Sequence, residues 1–470
     1  MADWLRDAVF YQIFPDRFAR CERVPKLASL EAWDAPPGTS GYKGGDLRGV
    51  VERLDYLSEL GITALYLNPI FTATANHRYH TADYFAVDPM LGGTVAFEGL
   101  LTACHDRGMK VVIDGVFNHC GRAFPPFADV AENGAASPYR DWFFVHALPL
   151  DPYGAHSPRY ASWMNLPALP KFDTGNAEVR EFLQRVAEHW VKVGIDGWRL
   201  DTPEQIETPG FWQELAARVK AVNADAVLIG EVWDEPSAWL APQGPFDAVL
   251  NYHVGGRILP FVGQESLDRK LTQKLAYPFK GEVNGEQFAA FLEQLYARFP
   301  AKVTQSWLSL DACHDTPRRA SMLSGDRRRV DLAEMLRFTL PGAPCIYYGE
   351  ELALEGGMDP GCRAGFPWDS ASCETTDWVR RLAALRHGHL ALRRGEFRVL
   401  AATAKAFAFA RTHTDGAVIV ALNVGDDTVE LPVSPDIQLG TLLLGEGSVA
   451  AGRLRLPALR AGVWQASLPP

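Results

Sequence analysis

The sequence lacks the features that mark several classes of protein. It contains no run of about twenty apolar residues, which a membrane-spanning helix would need, and its first residues form no secretory signal. Its formal net charge of -11 leaves no basic excess for nucleic acid or anionic lipid. Its seven cysteines are an odd number without a Cys-x-x-Cys pair, which argues against a disulfide framework and a zinc site. We therefore predict a cytoplasmic protein that binds neither nucleic acid nor membrane.

The sequence does contain apolar, β-type runs that alternate with amphipathic helical stretches. Eight strands are predicted, at residues 9–14, 62–67, 111–116, 197–200, 227–232, 248–252, 307–310 and 345–348. Two of the helices between them are predicted at residues 47–60 and 176–193, and the second follows the helix-start signal Asp173-Thr-Gly-Asn176. Alternation of this kind predicts the α/β class and a (β/α)8 TIM barrel.

The spacing of these elements predicts three domains. The barrel is assigned to residues 1–117 and 176–393, and an inserted subdomain after the third strand to residues 118–175, which are rich in Pro, Gly and aromatics. From about residue 394 short alternating strands appear, such as residues 417–423 and 440–444, separated by turn residues. Residues 394–470 are therefore predicted to form a C-terminal antiparallel β-sandwich domain.

Four short segments place a carboxylate at or near the end of an apolar run. In chain order they are Asp114–His119, Gly197–Asp201, Gly230–Trp233 and His314–Asp315. Strand ends converge at one mouth of a TIM barrel, and catalytic residues come from several different strands there. We therefore expect these carboxylates to share a pocket.

Two carboxylates of this set suit retaining cleavage of a glycosidic bond, which uses a nucleophile and a general acid/base about 5–5.5 Å apart. Asp201 lies two residues after Arg199, whose charge is expected to keep it ionised as a nucleophile. Glu231 follows an apolar run, and desolvation is expected to raise its pKa toward that of an acid. Asp315 is expected to bind sugar hydroxyls and stabilise the transition state.

Each of these residues also has an ordinary structural interpretation. A single Asp or Glu at a strand end is more often a helix cap or a surface charge. Arg199 fits an internal ion pair, Trp233 fits core packing, and His119 alone fits a hydrogen-bonded structural residue. The occurrence of all four segments in one order favours the catalytic interpretation.

At these segments the chain resembles the α-amylase family, whose members share a (β/α)8 barrel and a retaining mechanism. The four segments resemble the family's four main conserved regions, and Leu169-Pro-Lys-Phe172 resembles a fifth. The resemblance implies the nucleophile, the acid/base and the transition-state stabiliser at Asp201, Glu231 and Asp315. It also implies a sugar stacked on Tyr79 and contacts from Arg199, His119 and His314. Trp233 and Phe172 are expected to line acceptor subsites.

Within the family, Leu-Pro-Lys-Phe and residues 346–357 are most similar to the neopullulanase, cyclomaltodextrinase and maltogenic amylase group. The implied substrates are α-glucan oligosaccharides, namely maltooligosaccharides and cyclodextrins. Residues 4–18 already resemble the first barrel strand, so we expect the group's N-terminal domain to be absent, and monomer and homodimer both stay open. Thr202 follows the nucleophile as in α-1,4-acting relatives, so we expect α-1,4 cleavage. The alternatives are a 4-α-glucanotransferase or isomerase that uses the same carboxylates, and a non-catalytic relative.

Many members of the family bind calcium with an Asn at the position of Asn118 and a His shortly after the nucleophile. In this chain Gln205 stands at the position of that His, and a calcium site needs about six oxygen ligands. Only Asn118 and Asp173 are candidates. We therefore predict no metal site and no required cofactor, with calcium kept as the alternative.

Overall fold

The computed structural model describes residues 2–26, 29–154, 159–240, 242, 244–273 and 283–467. Its strands, β1 to β18 in chain order, are Phe10–Ile13, Ala64–Leu67, Phe71–Ala73, Thr81–Val87, Lys110–Gly115, Gly197–Leu200, Val227–Gly230, Ala248–Val249, Leu308–Ser309, Ala343–Tyr347, Glu396–Thr403, Ala406–His413, Gly416–Asn423, Val429–Pro432, Gln438–Gly445, Ser448–Ala450, Arg453–Leu456 and Arg460–Ser467. The helices α1 to α16 are Trp4–Asp7, Pro15–Phe18, Leu47–Val51, Leu54–Glu59, Gly93–His105, Pro125–Asn133, Ala177–Val193, Phe211–Val222, Tyr252–Gly263, Arg269–Thr272, Gly285–Ala297, Ala301–Thr304, Arg319–Met322, Arg327–Thr339, Glu374–Gly388 and Leu390–Arg394. Within the described ranges, each helix is too short or too polar to span a lipid bilayer.

Eight parallel strands form a barrel in the order β8-β7-β6-β5-β2-β1-β10-β9. A parallel bridge between Leu250 and Leu308 joins the two end strands, and the Asn251 N–H donates to the Leu308 carbonyl at 2.8 Å. All eight strands fall at the predicted apolar runs, so the predicted TIM barrel is confirmed. The runs become strands because their continuous apolar character suits burial on both faces.

Successive side chains of the barrel strands point alternately inward and outward. Tyr66, Val112 and Ile229 belong to one buried apolar cluster, whereas Leu65 and Ile113, each offset by one position, belong to another that includes the surrounding helices. Alternation with period two is a property of extended chain. It decides which polar side chains at the strand ends face the barrel mouth.

The structure refines the two predicted helices. The stretch predicted as one helix at residues 47–60 is two, α3 and α4, because Arg53 has non-helical backbone angles (φ -114°, ψ 7°). The second predicted helix is confirmed as α7, where Asn176 caps the first turn by accepting from the N–H groups of Glu178 and Val179.

Two further parts stand outside the barrel. The segment between β5 and α7 contains α6 and is held by short backbone bridges, among them His119 with Lys171 and Phe143 with Phe172. After α16 the chain forms a five-stranded sheet, β11-β12-β13-β18-β15, and a three-stranded sheet, β14-β17-β16, both antiparallel. This is the C-terminal β-sandwich of the predicted fold class. The exact domain boundaries stay predictions, and residues 468–470 lie outside the described ranges.

Candidate active site

Strand register brings the polar residues of β5, β6 and β7 together at the barrel mouth. Asp114 is the direct register partner of Arg199, and Arg199 is the partner of Ile229. Asp201 lies two residues after Arg199, and Glu231 lies two residues after Ile229, so each continues the inward face of its strand. The sequence prediction that these carboxylates share a pocket agrees with this geometry.

Arg199 joins three carboxylates. Its Nη1 donates to both Asp114 oxygens at 2.8 and 2.9 Å and to Asp201 Oδ1 at 3.0 Å. Its Nη2 forms an ion pair with Glu231 Oε1 at 2.7 Å. All four residues are buried, with Asp201 the most exposed at 6%. One guanidinium therefore holds Asp201 and Glu231 on its two neighbouring nitrogens, which makes the two carboxylates close neighbours.

Thr202 has a backbone conformation that serves Glu231. Its φ of 38° and ψ of 53° lie in the left-handed region, which β-branched residues rarely adopt. In this conformation its N–H donates to Glu231 Oε2 at 3.0 Å. The second oxygen of Glu231 is thus held by the residue that follows Asp201.

A chain of hydrogen bonds holds His314 and Tyr79 beside this group. The Gln12 amide lies 2.9 Å from His314 Nδ1, so the imidazole proton belongs on Nε2. Nε2 lies 2.6 Å from the Tyr79 hydroxyl, which in turn donates to Asp114 Oδ2 at 2.9 Å. The Tyr79 and His314 rings are parallel, with centroids 5.6 Å apart. Tyr79 and His314 are therefore fixed together, as expected for two residues of one sugar site.

Asp315 lies next to His314 and is the most open carboxylate of the site. Its side chain is 38% exposed, its Oδ2 is 3.1 Å from His314 Nε2, and its Oδ1 accepts from Arg363 Nη2 at 3.0 Å. Asp315 is thus partly open to solvent while both of its oxygens are held by neighbouring residues. This arrangement suits a carboxylate that contacts a ligand.

Burial and neighbouring charges shift the pKa values of these carboxyl groups. Burial raises the pKa of Glu231 well above its usual value despite Arg199, and the negative charges of Asp201 and Asp315 add to this rise. Burial also raises the pKa of Asp201, to about 7. The charge of Arg199 offsets only part of this rise, and the negative charges of Asp114 and Asp315 add to the rise. Burial by itself raises the pKa of Asp315, but His314 and the guanidiniums of Arg363 and Arg199 outweigh burial and lower this pKa.

The sequence suggested that Arg199 keeps Asp201 ionised, but in the structure the pKa of Asp201 is raised, as is that of Glu231. The expectation considered Arg199 alone. It left out the burial of Asp201 and the charge of Asp114, which only the packed barrel brings close.

His119 lies at the edge of the inserted segment with one ring nitrogen unused. Its Nε2 is buried and finds no hydrogen-bond partner among the described residues, while its Nδ1 lies 3.3 Å from the Asn118 amide. Burial lowers the pKa of His119 to about 3, so the ring is neutral at pH 7. A neutral imidazole with a free nitrogen can bind a sugar hydroxyl.

The two predicted aromatic subsites differ in position. Trp233 follows Glu231 by two residues, is partly buried and stacks on Tyr252 with centroids 3.9 Å apart. Phe172 is 1% exposed and packs against Tyr84, Phe124 and Phe143. Its ring offers no exposed face to a ligand, because the hydrophobic core of the inserted segment covers it. We therefore leave Phe172 out of the proposed substrate contacts.

Several residues of the site are absent from the sequence prediction. Asp114 was recognised as part of a motif but not as a ligand of Arg199. Gln12, Asn68 and Tyr66 contact the same network, since Asn68 donates to the Tyr79 hydroxyl at 3.2 Å and Tyr66 to Asp114 Oδ2 at 3.0 Å. Alternation along β1 and β2 could have placed Gln12 and Tyr66 inward. Arg363 follows no strand directly and gave no local signal.

Metal ligation has weak support in the described part of the chain. There, one group of three potential ligand side chains lies close together, Cys313, His314 and Asp315. Burial raises the pKa of the Cys313 thiol, and both His314 nitrogens already face hydrogen-bond partners, so this group suits a metal poorly. Asn118 keeps a buried amide oxygen without a partner in those same ranges, but Gln205 is exposed and Asp173 accepts from Gly175 N–H. These residues do not assemble the oxygen shell that calcium requires.

Close, buried carboxylates at the carboxyl-terminal mouth of a parallel barrel are the arrangement that retaining glycoside hydrolases use. Residues 12–380 match the family described as the alpha amylase catalytic domain. The chain belongs to the alpha-amylase family and is a glycosidase of that family.

The comparisons with individual proteins point to one part of the family. The chain is 38% identical to a cyclomaltodextrinase of Geobacillus thermopakistaniensis, over 94% of this chain and 74% of that protein. It is 38% identical to neopullulanase 2 of Thermoactinomyces vulgaris, over 90% of this chain and 70% of the relative. The crystal structure of a debranching enzyme from Nostoc punctiforme superposes with a TM-score of 0.91 at 41% identity, covering 99% of both chains. The predicted resemblance to the neopullulanase and cyclomaltodextrinase group is confirmed.

Proposed function

We propose that this protein is a retaining glycosidase that hydrolyses α-1,4-glucosidic bonds of maltooligosaccharides and cyclodextrins. The observation that carries the proposal is the single guanidinium of Arg199, which holds Asp201 and Glu231 side by side. Retaining enzymes need this closeness, because one carboxylate must touch the anomeric carbon while the other reaches the glycosidic oxygen. The names of the two curated relatives support the substrate class.

The first half of the reaction uses both carboxyl groups at once. Burial and the negative charge of Asp201 raise the pKa of Glu231, which favours Glu231 as the protonated partner of the pair. Asp201 attacks the anomeric carbon and forms an ester bond to it. The glycosidic bond breaks, and its oxygen takes the Glu231 proton as the leaving sugar departs.

The second half of the reaction reverses the role of Glu231. As a carboxylate it removes a proton from water, whose oxygen attacks the same anomeric carbon and releases Asp201. Arg199 stays paired with Asp201 throughout and stabilises it as a leaving carboxylate. Asp315, which is partly exposed, stabilises the positive charge that develops on the sugar ring in both transition states.

Two substitutions test these roles. Asp201→Asn and Glu231→Gln should each lower turnover of maltotriose by about 10⁴-fold or more while the circular dichroism spectrum stays unchanged. An aryl α-maltoside with a highly acidic phenol needs no acid, so Glu231→Gln should still release its phenol and Asp201→Asn should not. The control is Glu235→Gln, an exposed carboxylate four residues after Glu231. Near-normal turnover of maltotriose by either folded variant contradicts the proposal.

The stereochemical outcome tests the double displacement directly. Proton NMR during the first turnovers should show the α-anomer of the product, because two inversions restore the starting configuration. A β-anomer as the first product would exclude a nucleophilic Asp201.

Product analysis separates hydrolysis from the alternative, a transferase using the same three carboxylates. Chromatography of the products formed over time from maltotriose should show maltose and glucose. With β-cyclodextrin it should show early opening of the ring. Early oligomers longer than maltotriose would instead identify a transferase. The Nostoc relative is named a debranching enzyme, so pullulan should be included. Cleavage of pullulan without any reaction on the other two substrates would replace the α-1,4 assignment with α-1,6.

We also propose a cytoplasmic location, with monomer and homodimer as the candidate assembly states. All seven cysteines are free, which suits a reducing compartment. Light scattering on the eluted protein decides the assembly state.

A further inference from the structure

Arg363 makes two hydrogen bonds to the His314–Asp315 segment. Its Nη2 donates to Asp315 Oδ1 at 3.0 Å, and its Nε donates to the His314 carbonyl at 2.9 Å. Its Nη1 pairs with Asp359 Oδ1 at 2.9 Å. The residue is only 7% exposed, and its guanidinium lies 5.3 Å from the centre of the Phe14 ring. All three nitrogens of this side chain are therefore engaged, and two of them hold one dipeptide.

Asp315 needs such a constraint more than the other carboxylates. Asp114, Asp201 and Glu231 are fixed by Arg199 inside the barrel, whereas Asp315 is 38% exposed and the structure shows no hydrogen bond or ion pair of its side chain to Arg199. The negative charge of Asp201 repels it. A carboxylate in that position would turn toward water unless an opposite charge held it over the cleft.

We propose that Arg363 is a positioning residue that holds the Asp315 carboxylate in the orientation required to stabilise the transition state. This inference rests on the role proposed above for Asp315. Arg363 acts on the side chain through Nη2 and on the main chain through Nε, so it fixes both where Asp315 lies and how its carboxylate is turned. The bond from Cys362 Sγ to the same His314 carbonyl, at 3.1 Å, ties the two segments together at a second point.

The planar fork of arginine is essential to this arrangement. Three donors of one guanidinium point to three separate acceptors, and a lysine ammonium at the end of a flexible stem cannot reproduce that geometry. Lysine keeps the positive charge, however. Arg363→Lys should thus still hold the Asp315 carboxylate in part, and Arg363→Gln should not hold it.

The first measurement is steady-state kinetics on maltotriose and maltohexaose. Arg363→Gln should lower kcat by about 10- to 100-fold, because a hydrogen bond to a charged group is lost in the transition state. KM should change less than about threefold on both substrates. Arg363→Lys should fall between Arg363→Gln and the native enzyme. The matched control is Arg327→Gln, an arginine paired with Asp331 on an outer helix, which should leave kcat unchanged.

A double-mutant cycle with Asp315→Asn tests whether Arg363 acts through Asp315. Asp315→Asn alone should lower kcat by about 100-fold or more, and adding Arg363→Gln should lower it by less than about threefold further. If Arg363→Gln does not fold, Arg363→Lys replaces it in the same cycle.

The possible outcomes are distinct. Multiplicative losses in the double variant, or a loss confined to KM that grows with substrate length, would overturn the inference in favour of a direct sugar contact. Near-normal activity of Asp315→Asn would instead overturn the proposed function itself. A small further loss in the double variant together with partial rescue by lysine supports the positioning role.

Discussion

At the scale of single residues, the site places four carboxyl groups around two guanidiniums. Arg199 contacts Asp114, Asp201 and Glu231, and Arg363 contacts Asp315. Burial and neighbouring negative charges raise the pKa values of Asp201 and Glu231, so this pair holds a proton more readily than ordinary carboxyl groups do. That proton is the one that general acid catalysis needs.

The pH dependence of activity follows from these shifts. The reaction needs Asp201 ionised and Glu231 protonated. Because the pKa of Asp201 is raised to about 7, kcat/KM should fall as the pH drops through about 7, and not near pH 4 as for an ordinary Asp. At high pH activity should fall as Glu231 loses its proton, and its raised pKa moves that loss above the usual range for Glu. Rates on maltotriose from pH 4.5 to 9.5 measure both limits.

An acidic limit near pH 4 would contradict this account, since it would mean that Arg199 dominates over burial at Asp201. Circular dichroism at each pH is the control that separates loss of catalysis from unfolding.

The sequence predicted some residues of the site and missed others. Tyr79, Arg199 and His314 share the hydrogen-bond network around Asp114, while their roles and that of His119 stay predictions. Phe172 offers no exposed face to a ligand, because the packing of the inserted segment buries it. Arg363 escaped the sequence analysis, since its partner Asp315 is 48 residues away in the chain.

At the scale of secondary-structure elements, the barrel depends on close approach of β6 and β7. Gly197 opens β6 and is the register partner of Val227. A Cβ at Gly197 would lie 2.4 Å from the Val227 carbonyl oxygen and 3.0 Å from its backbone nitrogen. These atoms belong to the sheet, so they cannot move without shifting the strand that carries Glu231.

We therefore expect Gly197→Ala to lower the free energy of unfolding by about 3 kcal/mol or more and to reduce activity. The control is Gly99→Ala in α5, an exposed helical position where a Cβ meets nothing within 4 Å. That change should raise the free energy of unfolding by about 0.5–1 kcal/mol, because alanine favours helix. Urea unfolding curves measure both. Equal stability of the two variants would disprove the tight contact between β6 and β7.

At the scale of the whole molecule, one hydrophobic core extends from the barrel into the C-terminal sheet. Phe288 of α11 stacks on Phe261 of α9 and contacts Phe407 of β12, with centroids 5.0 and 5.6 Å apart. Arg411 of β12, fully buried, donates to the carbonyls of Thr339 and Gly395. Phe407, Phe409 and Arg411 thus lie on the side of the barrel helices, and Ala406, Ala408 and Ala410 face the second sheet.

Because the core is shared, the protein should unfold as one unit. Phe407→Ala should lower the free energy of unfolding by about 3–5 kcal/mol, through lost burial and a cavity. Scanning calorimetry should show one transition that coincides with loss of enzymatic activity, at a lower temperature in the variant. Val449→Ala, an exposed residue of β16, should change stability by less than about 0.5 kcal/mol. A variant in which the C-terminal sheet melts first and activity persists would show two independent units.

The sequence by itself determined the barrel, the order of its strands and the acidic residues at their ends. These follow from patterns between residues a few positions apart, such as β-type apolar runs and helical spacing. The tertiary structure alone decided that Asp114, Asp201 and Glu231 share one guanidinium, that Arg363 holds Asp315, and that Asp201 has a raised pKa. Burial and charge at a site depend on segments far apart in the chain, and only the closed barrel brings those segments into contact.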